Sequence, residues 1–179
     1  MGATDAVVGA LDRNWTMVDT ALADMSDADL ARIPVEGCNS MAWILWHFNR
    51  TMDIFSNAWI QSIPQIWVRD GWHAKFGMPG NPVAKPDDMG VGWTAEQVAA
   101  WVPPPQEILI GYFHAVRSET REYLASLTLD DLEHVKIIPP LADPRPVSSA
   151  VSTMVFGNIA HGGQIAYLRG FFQGMGWWT

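Results

Sequence analysis

Apolar side chains recur at intervals of three and four residues in four long stretches of the chain. Val7, Val8, Leu11, Trp15, Val18 and Leu22 predict a first helix over about Thr4 to Met25. Ser26 to Asn39, broken by Pro34 and Gly37, is a predicted connector. A second helix starts near Asn39 or Ser40, both good caps for exposed backbone N–H groups, and runs through a Trp-, Phe- and Met-rich segment to about Ile60, before Pro64. The third spans about Gln106 to Leu127 behind Pro103, Pro104 and Pro105, with Leu109, Tyr112, Phe113, Val116, Tyr123 and Leu124 as its core stripe. A break at Pro139, Pro140, Pro144 and Pro146 precedes the last helix, capped by Ser148 and running to about Gln173, where Gly174 stops it.

Residues 64 to 93 hold Pro64, Pro79, Pro82 and Pro86 with Gly71, Gly77, Gly80, Gly90 and Gly92, so no long regular element fits there. Only a short helix, Thr94 to Trp101, separates this excursion from the third long helix. Long loops in compact domains usually form lids or binding walls, and this one carries Trp67, Trp72, His73 and Trp93. No fixed-period repeat is present. The expected fold is all-α, a four-helix bundle with a long irregular loop between the second and third long helices, in a single domain over 1–179.

Composition narrows the function. With 49% hydrophobic and 17% charged residues among 179, the chain is rich enough in apolar groups to fold compactly. Its formal net charge of −8, with no two Lys or Arg adjacent, argues against a nucleic-acid partner. No apolar run approaches the roughly 20 residues of a membrane span. The N-terminus lacks the basic start and apolar core of a signal peptide, and the one cysteine, Cys38, cannot form an internal disulfide. A reducing, cytoplasmic location is expected.

Chemistry enters through two helix faces. At about 100° per residue, Met154, Asn158, Gln164, Ile165, Leu168 and Phe172 fall on the side of His161, while Trp43, Ile44, Arg50, Thr51 and Ile54 gather around His47. A lone interior histidine is more often a hydrogen-bonded core residue than a ligand. Two of them, each on an inward face with further polar groups, match the way bundles build metal and ligand sites. Burying Arg50, Asn158 and Gln164 near one centre costs roughly 1–3 kcal/mol for each unsatisfied group, which a ligand, ion or water would relieve. His114 falls on the outer side of its helix and His134 in an acidic connector, so neither belongs to the expected site; the direction of His73 on its loop is left open. The opposite face of the last helix, with Val155, Ile159, Gly162, Gly163 and Ala166, is suited to close packing by another helix or a second subunit.

The stretches 39–53 (NSMAWILWHFNRTMD), 66–78 (IWVRDGWHAKFGM), 111–132 and 161–170 (HGGQIAYLRG) resemble, in order and over nearly the whole chain, the DinB-like superfamily, with the nearest likeness to a branch of unknown function common in actinobacteria. The resemblance implies a DinB-like four-helix bundle, a homodimer, and a divalent metal such as Zn, Ni or Fe. It also implies a thiol transferase using mycothiol or bacillithiol, or a hydrolase. His47 matches the second-helix ligand and His161 the final ligand of the last helix. The remaining ligand position falls on Gly157, which has no side chain. Asn158 beside it carries an amide oxygen, a weak donor for zinc or nickel. Other completions are His73, the substrate itself, or a metal-free pocket. Within this scheme Arg50 and Gln164 orient a polar or anionic small-molecule substrate, and Trp43 excludes water. The competing expectation is a noncatalytic small-molecule-binding or dimeric interaction bundle that has lost the metal.

Overall fold

The computed structural model describes residues 2–78 and 87–178. Pro79, Gly80, Pro82 and Pro86, four of the breakers expected in the long loop, lie outside the described residues. In chain order the elements are α1 (Asp5–Leu22), α2 (Asp27–Ala31), α3 (Met41–Asp53), a π-helix (Ile54–Gln61), α4 (Ile66–Arg69), α5 (Trp72–Phe76), α6 (Ala95–Ala100), α7 (Gln106–Ser126), α8 (Leu129–Glu133), β1 (Val135–Ile137), β2 (Pro144–Pro146) and α9 (Val147–Gln173).

The long helices α1, α3, α7 and α9 close a bundle: α9 packs on α1 and α3, and α7 packs on α3 and α1. Trp15, Trp46, Tyr112, Phe113, Leu11 and Leu45 fill its interior at 1% exposure or less, removing large aromatic surfaces from water. Close approach of α1 to α9 depends on Gly162. A Cβ there would lie 2.1 Å from the Asn14 side-chain oxygen, so of the two partners the sequence allowed, another helix or a second subunit, Gly162 packs on another helix, α1.

Local chemistry explains most boundaries. The Ser40 hydroxyl accepts the Trp43 N–H and starts α3; Ser26, Thr94 and Thr128 form reciprocal capping boxes at α2, α6 and α8. Two expectations are corrected. α9 begins at Val147 rather than behind a Ser148 cap, because β1 and β2 pair antiparallel and the Val147 N–H donates to the His134 carbonyl, delivering the chain directly into the helix. The second helix is α-helical only to Asp53, then widens into the π-helix and ends at Ser62 in the left-handed region with φ 60°. Over eight residues a coil hydrogen-bonded i→i+5 buries a similar face, so hydrophobic periodicity does not distinguish the two.

Candidate functional site

α3 brings Trp43 and His47 one turn apart on one face. Their rings stack with centroids 5.1 Å apart and planes 11° from parallel. The His161 ring of α9 meets His47 edge-on, 4.8 Å away at 87°. The two histidine rings, on different helices, are thus in contact.

Each imidazole is held through Nδ1. His47 Nδ1 hydrogen-bonds the Met89 carbonyl, and His161 Nδ1 hydrogen-bonds Gln164 Oε1 at 2.8 Å. Both partners are oxygens that accept, so each Nδ1 carries a proton. Burial lowers the His47 pKa below 6.5, opposed by the hydrogen bond to the Met89 carbonyl and reinforced by nearby His161. His47 is therefore a neutral base at pH 7.

The Met89 carbonyl arrives there because of Gly90. With φ 85°, and with an added Cβ falling 2.7 Å from the rings of both Trp43 and Trp46, only glycine lets the backbone cross these two indoles. Trp93, just beyond, leans on Trp46 at 5.3 Å. Met89 to Trp93, the described end of the long loop, thus lies over these rings, with Trp43 7% exposed beneath it.

Arg50 is placed elsewhere. It is 0% exposed, and its guanidinium donates to Gln65 Oε1 (2.7 Å), the Tyr112 hydroxyl (3.2 Å), Asp53 (3.4 Å) and the Asp88 carbonyl (3.2 Å), over the Trp67 ring at 4.6 Å. Asp53 also accepts the backbone N–H groups of Ile66 and Trp67 and the Tyr112 hydroxyl. Burial raises the Tyr112 pKa far above its ordinary value, so the phenol is a stable donor to the carboxylate. This network fastens the start of the long loop to α3 and α7. Sequence reasoning cast Arg50 as a substrate ligand and overlooked Asp53 and Gln65; an Arg–Asp pair three residues apart within an apolar helix was the available signal.

Asn158 also points away from the histidine pair. Its side-chain oxygen accepts the Trp15 indole N–H (3.0 Å) and the Asn14 amide (3.2 Å), joining α9 to α1. His73 on α5 hydrogen-bonds the Trp67 carbonyl at 3.0 Å. Among the described residues no group of three or more His, Cys, Asp or Glu side chains is placed to hold a metal ion, so His73 does not join His47 and His161. Among the described residues a resident metal therefore finds two imidazole donors and no third: Gly157 has no side chain and the Asn158 oxygen is committed to α1. The residues present do not fit the donor set of a stable structural or catalytic centre, which needs at least three protein ligands.

No helix among the described residues is long and apolar enough to cross a membrane. A search of curated proteins finds no match. Among solved structures, a conserved protein from Enterococcus faecalis is similar in fold, with a TM-score of 0.82, 24% sequence identity, and coverage of 98% of this chain and 99% of that one. The sequence profile of the DinB superfamily matches residues 10–165, a span that takes in α3, α7, most of α1 and α9, and both histidines. With the helix order, the long connection after α3 and the paired histidines already in place, this match settles the family: the chain belongs to the DinB superfamily.

Proposed function

We propose that the His47–His161 pair binds a small polar molecule and that the neutral His47 imidazole accepts a hydrogen bond, or a proton, from that molecule through Nε2. The observation carrying this reading is the anchoring of His47 Nδ1 to the Met89 carbonyl, which leaves the Nε2 lone pair of this ring to a ligand, with the His161 ring edge-on beside it. The lowered His47 pKa keeps that ring ready to accept, and the stacked Trp43 fixes its plane. Ligands that donate, such as thiols and hydroxyls, suit this pair. A net charge of −8 disfavours polyanions.

A second reading, a metal-dependent thiol transferase or hydrolase, draws on family membership and on the same Nδ1 anchoring, because a histidine that ligates a metal through Nε2 usually has its other nitrogen held by an oxygen. Elemental analysis of purified, tag-free protein beside a His47→Ala, His161→Ala double variant separates the two. The expected result is metal well below one ion per chain in both, with nitrogen NMR showing an uncoordinated Nε2 on each ring. Near-stoichiometric metal, lost in the double variant, overturns the first reading in favour of the second.

A further inference from the structure

Beside the histidine pair a groove of about 650 Å³ runs along α9 from Ala160 to Phe171. One wall is α9, through Gln164, Tyr167 and Phe171; the other is the start of α3 and the connector before it, through Ile44, Asn39 and Val35. Ile44 stands three residues before His47 and Gln164 three after His161, so on both helices a residue of the groove lies one turn from a histidine.

The lining is apolar and uncharged. Tyr167 is 72% exposed, Phe171 55% and Val35 59%, and the two α9 rings lie 6.5 Å apart at 27° from parallel, a broad apolar wall left in contact with water. In a chain of net charge −8, no described residue that lines the groove is Asp, Glu, Lys or Arg. A concave, mostly apolar cleft of this size with a few polar groups is the usual form of a small-molecule site. Gln164 is the polar group beside the histidines. Its Oε1 is taken by His161 Nδ1 at 2.8 Å, while its Nε2 donates to no protein atom among the described residues.

We infer that the groove holds the aromatic body of an uncharged alcohol whose hydroxyl reaches the histidine pair. The hydroxyl end rests on the proposed role of His47; the aromatic end does not. Each part of the ligand answers to a feature of the site. A planar ring laid against Tyr167 and Phe171 removes both of their exposed faces from water together with its own. A charged group in the groove would lose its water and meet no ion of opposite sign. A hydroxyl both donates and accepts, so it can donate to His47 Nε2 while accepting from Gln164 Nε2; a thiol does both weakly, and a carboxylate only accepts. An alkyl link of about two or three carbons between ring and hydroxyl covers the rise of one helical turn, about 5.4 Å.

Titration of the full chain with phenylpropanol, its hydroxyl at the end of the alkyl chain, tests the inference by calorimetry and amide NMR. Saturable shifts are expected at Ile44, Gly163 and Tyr167, with binding about 10- to 100-fold tighter than that of propanol, the gain from burying one phenyl ring. Phenylpropionate, the same body with a charged end, is expected to bind at least about 10-fold more weakly than the alcohol. At Gly163 an added Cβ meets nothing within 4 Å, so Gly163→Leu fills the groove without disturbing the helix; it is expected to remove the advantage of the phenyl ring and leave propanol binding as it was. Phe156→Ser, at a site 76% exposed on the same helix but outside the groove, is expected to change neither. No gain from the phenyl ring, shifts confined to other surfaces, or binding indifferent to Gly163→Leu each overturns the inference. So does a groove closed to the probe in a chain that sediments as a dimer or floats with phosphatidylcholine vesicles, since protein or lipid is then the occupant. Propylbenzene and His47→Gln separate the two ends. Alcohol binding that weakens in His47→Gln while propylbenzene binding holds supports both; equal binding of the two compounds, unmoved by His47→Gln, keeps the aromatic subsite and counts only against the role of His47.

Discussion

At the scale of single residues, the site owes more to backbone oxygens and a glycine than to the polar side chains that first draw attention. Gly90 sets the height of the loop above Trp43 and Trp46, and through Met89 it sets the tautomer of His47. Gly90→Ala forces a Cβ against two buried indoles and an unfavourable φ, so we expect a loss of about 1–3 kcal/mol in urea unfolding. Because Trp43 is the ring stacked on His47, the same change is expected to shift the His47 ring resonances more than those of His114, which is exposed and pairs with Asp19 on the far side of the bundle. Resonances of His47 unmoved by the substitution would refute the idea that Gly90 positions this ring. His47 and His161 were legible as a pair because each lies on an apolar stripe at helical spacing. Gly90 was not, since one glycine among several in a proline-rich stretch carries no mark of what lies beneath it. Arg50 and Asn158 were legible as buried polar groups, yet helical angle alone does not show which neighbouring helix a side chain faces. Arg50 turned to Asp53, Gln65 and Tyr112, and Asn158 turned to α1.

Among elements, α9 makes contacts of opposite demand on its sides, and its glycines record them. Gly162 faces Asn14 at a distance no Cβ tolerates, whereas a Cβ at Gly157 meets nothing within 4 Å. Gly162→Ala is expected to cost about 1–3 kcal/mol by pushing α1 from α9. Gly157→Ala is expected to be neutral or to stabilise by up to about 1 kcal/mol, because alanine is the better helix former where space allows. Equal and large losses at both positions, measured by thermal or chemical unfolding, would contradict this account. The four long helices and their order followed from periodicity, with Ser40 marking the start of α3 and Pro105 that of α7. The short elements did not: α2, α4, α5, α8 and the strand pair are each of five residues or fewer, too brief to display a period. Their capping boxes were visible in principle, as Ser26 with Asp29 and Thr128 with Asp131.

For the molecule as a whole, the lowered pKa of His47 couples the site to global stability. Its folded pKa lies below 6.5, so between the two values the unfolded chain binds the proton more readily. The stabilisation is fully present above about 6.5, the ordinary histidine value, and is lost as pH falls through the lowered folded value. We expect wild-type unfolding free energy to fall more steeply between about pH 7 and 5 than that of His47→Gln, in which this contribution is missing. Parallel slopes for the two proteins would show that burial of His47 carries no such coupling.

The segment that crosses the site is pinned through main-chain oxygens: His47 holds the carbonyl of residue 89, and Arg50 that of residue 88. Grips of this kind are indifferent to what the pinned residues are. The side chains add a second hold, since Asp88 Oδ1 accepts the Gly90 N–H at 3.0 Å and the Met89 sulfur lies 3.8 Å from the Thr51 hydroxyl. The backbone over the histidines is thus tied by main chain and side chain together, and the turn at Gly90 keeps its height when one of these ties is lost.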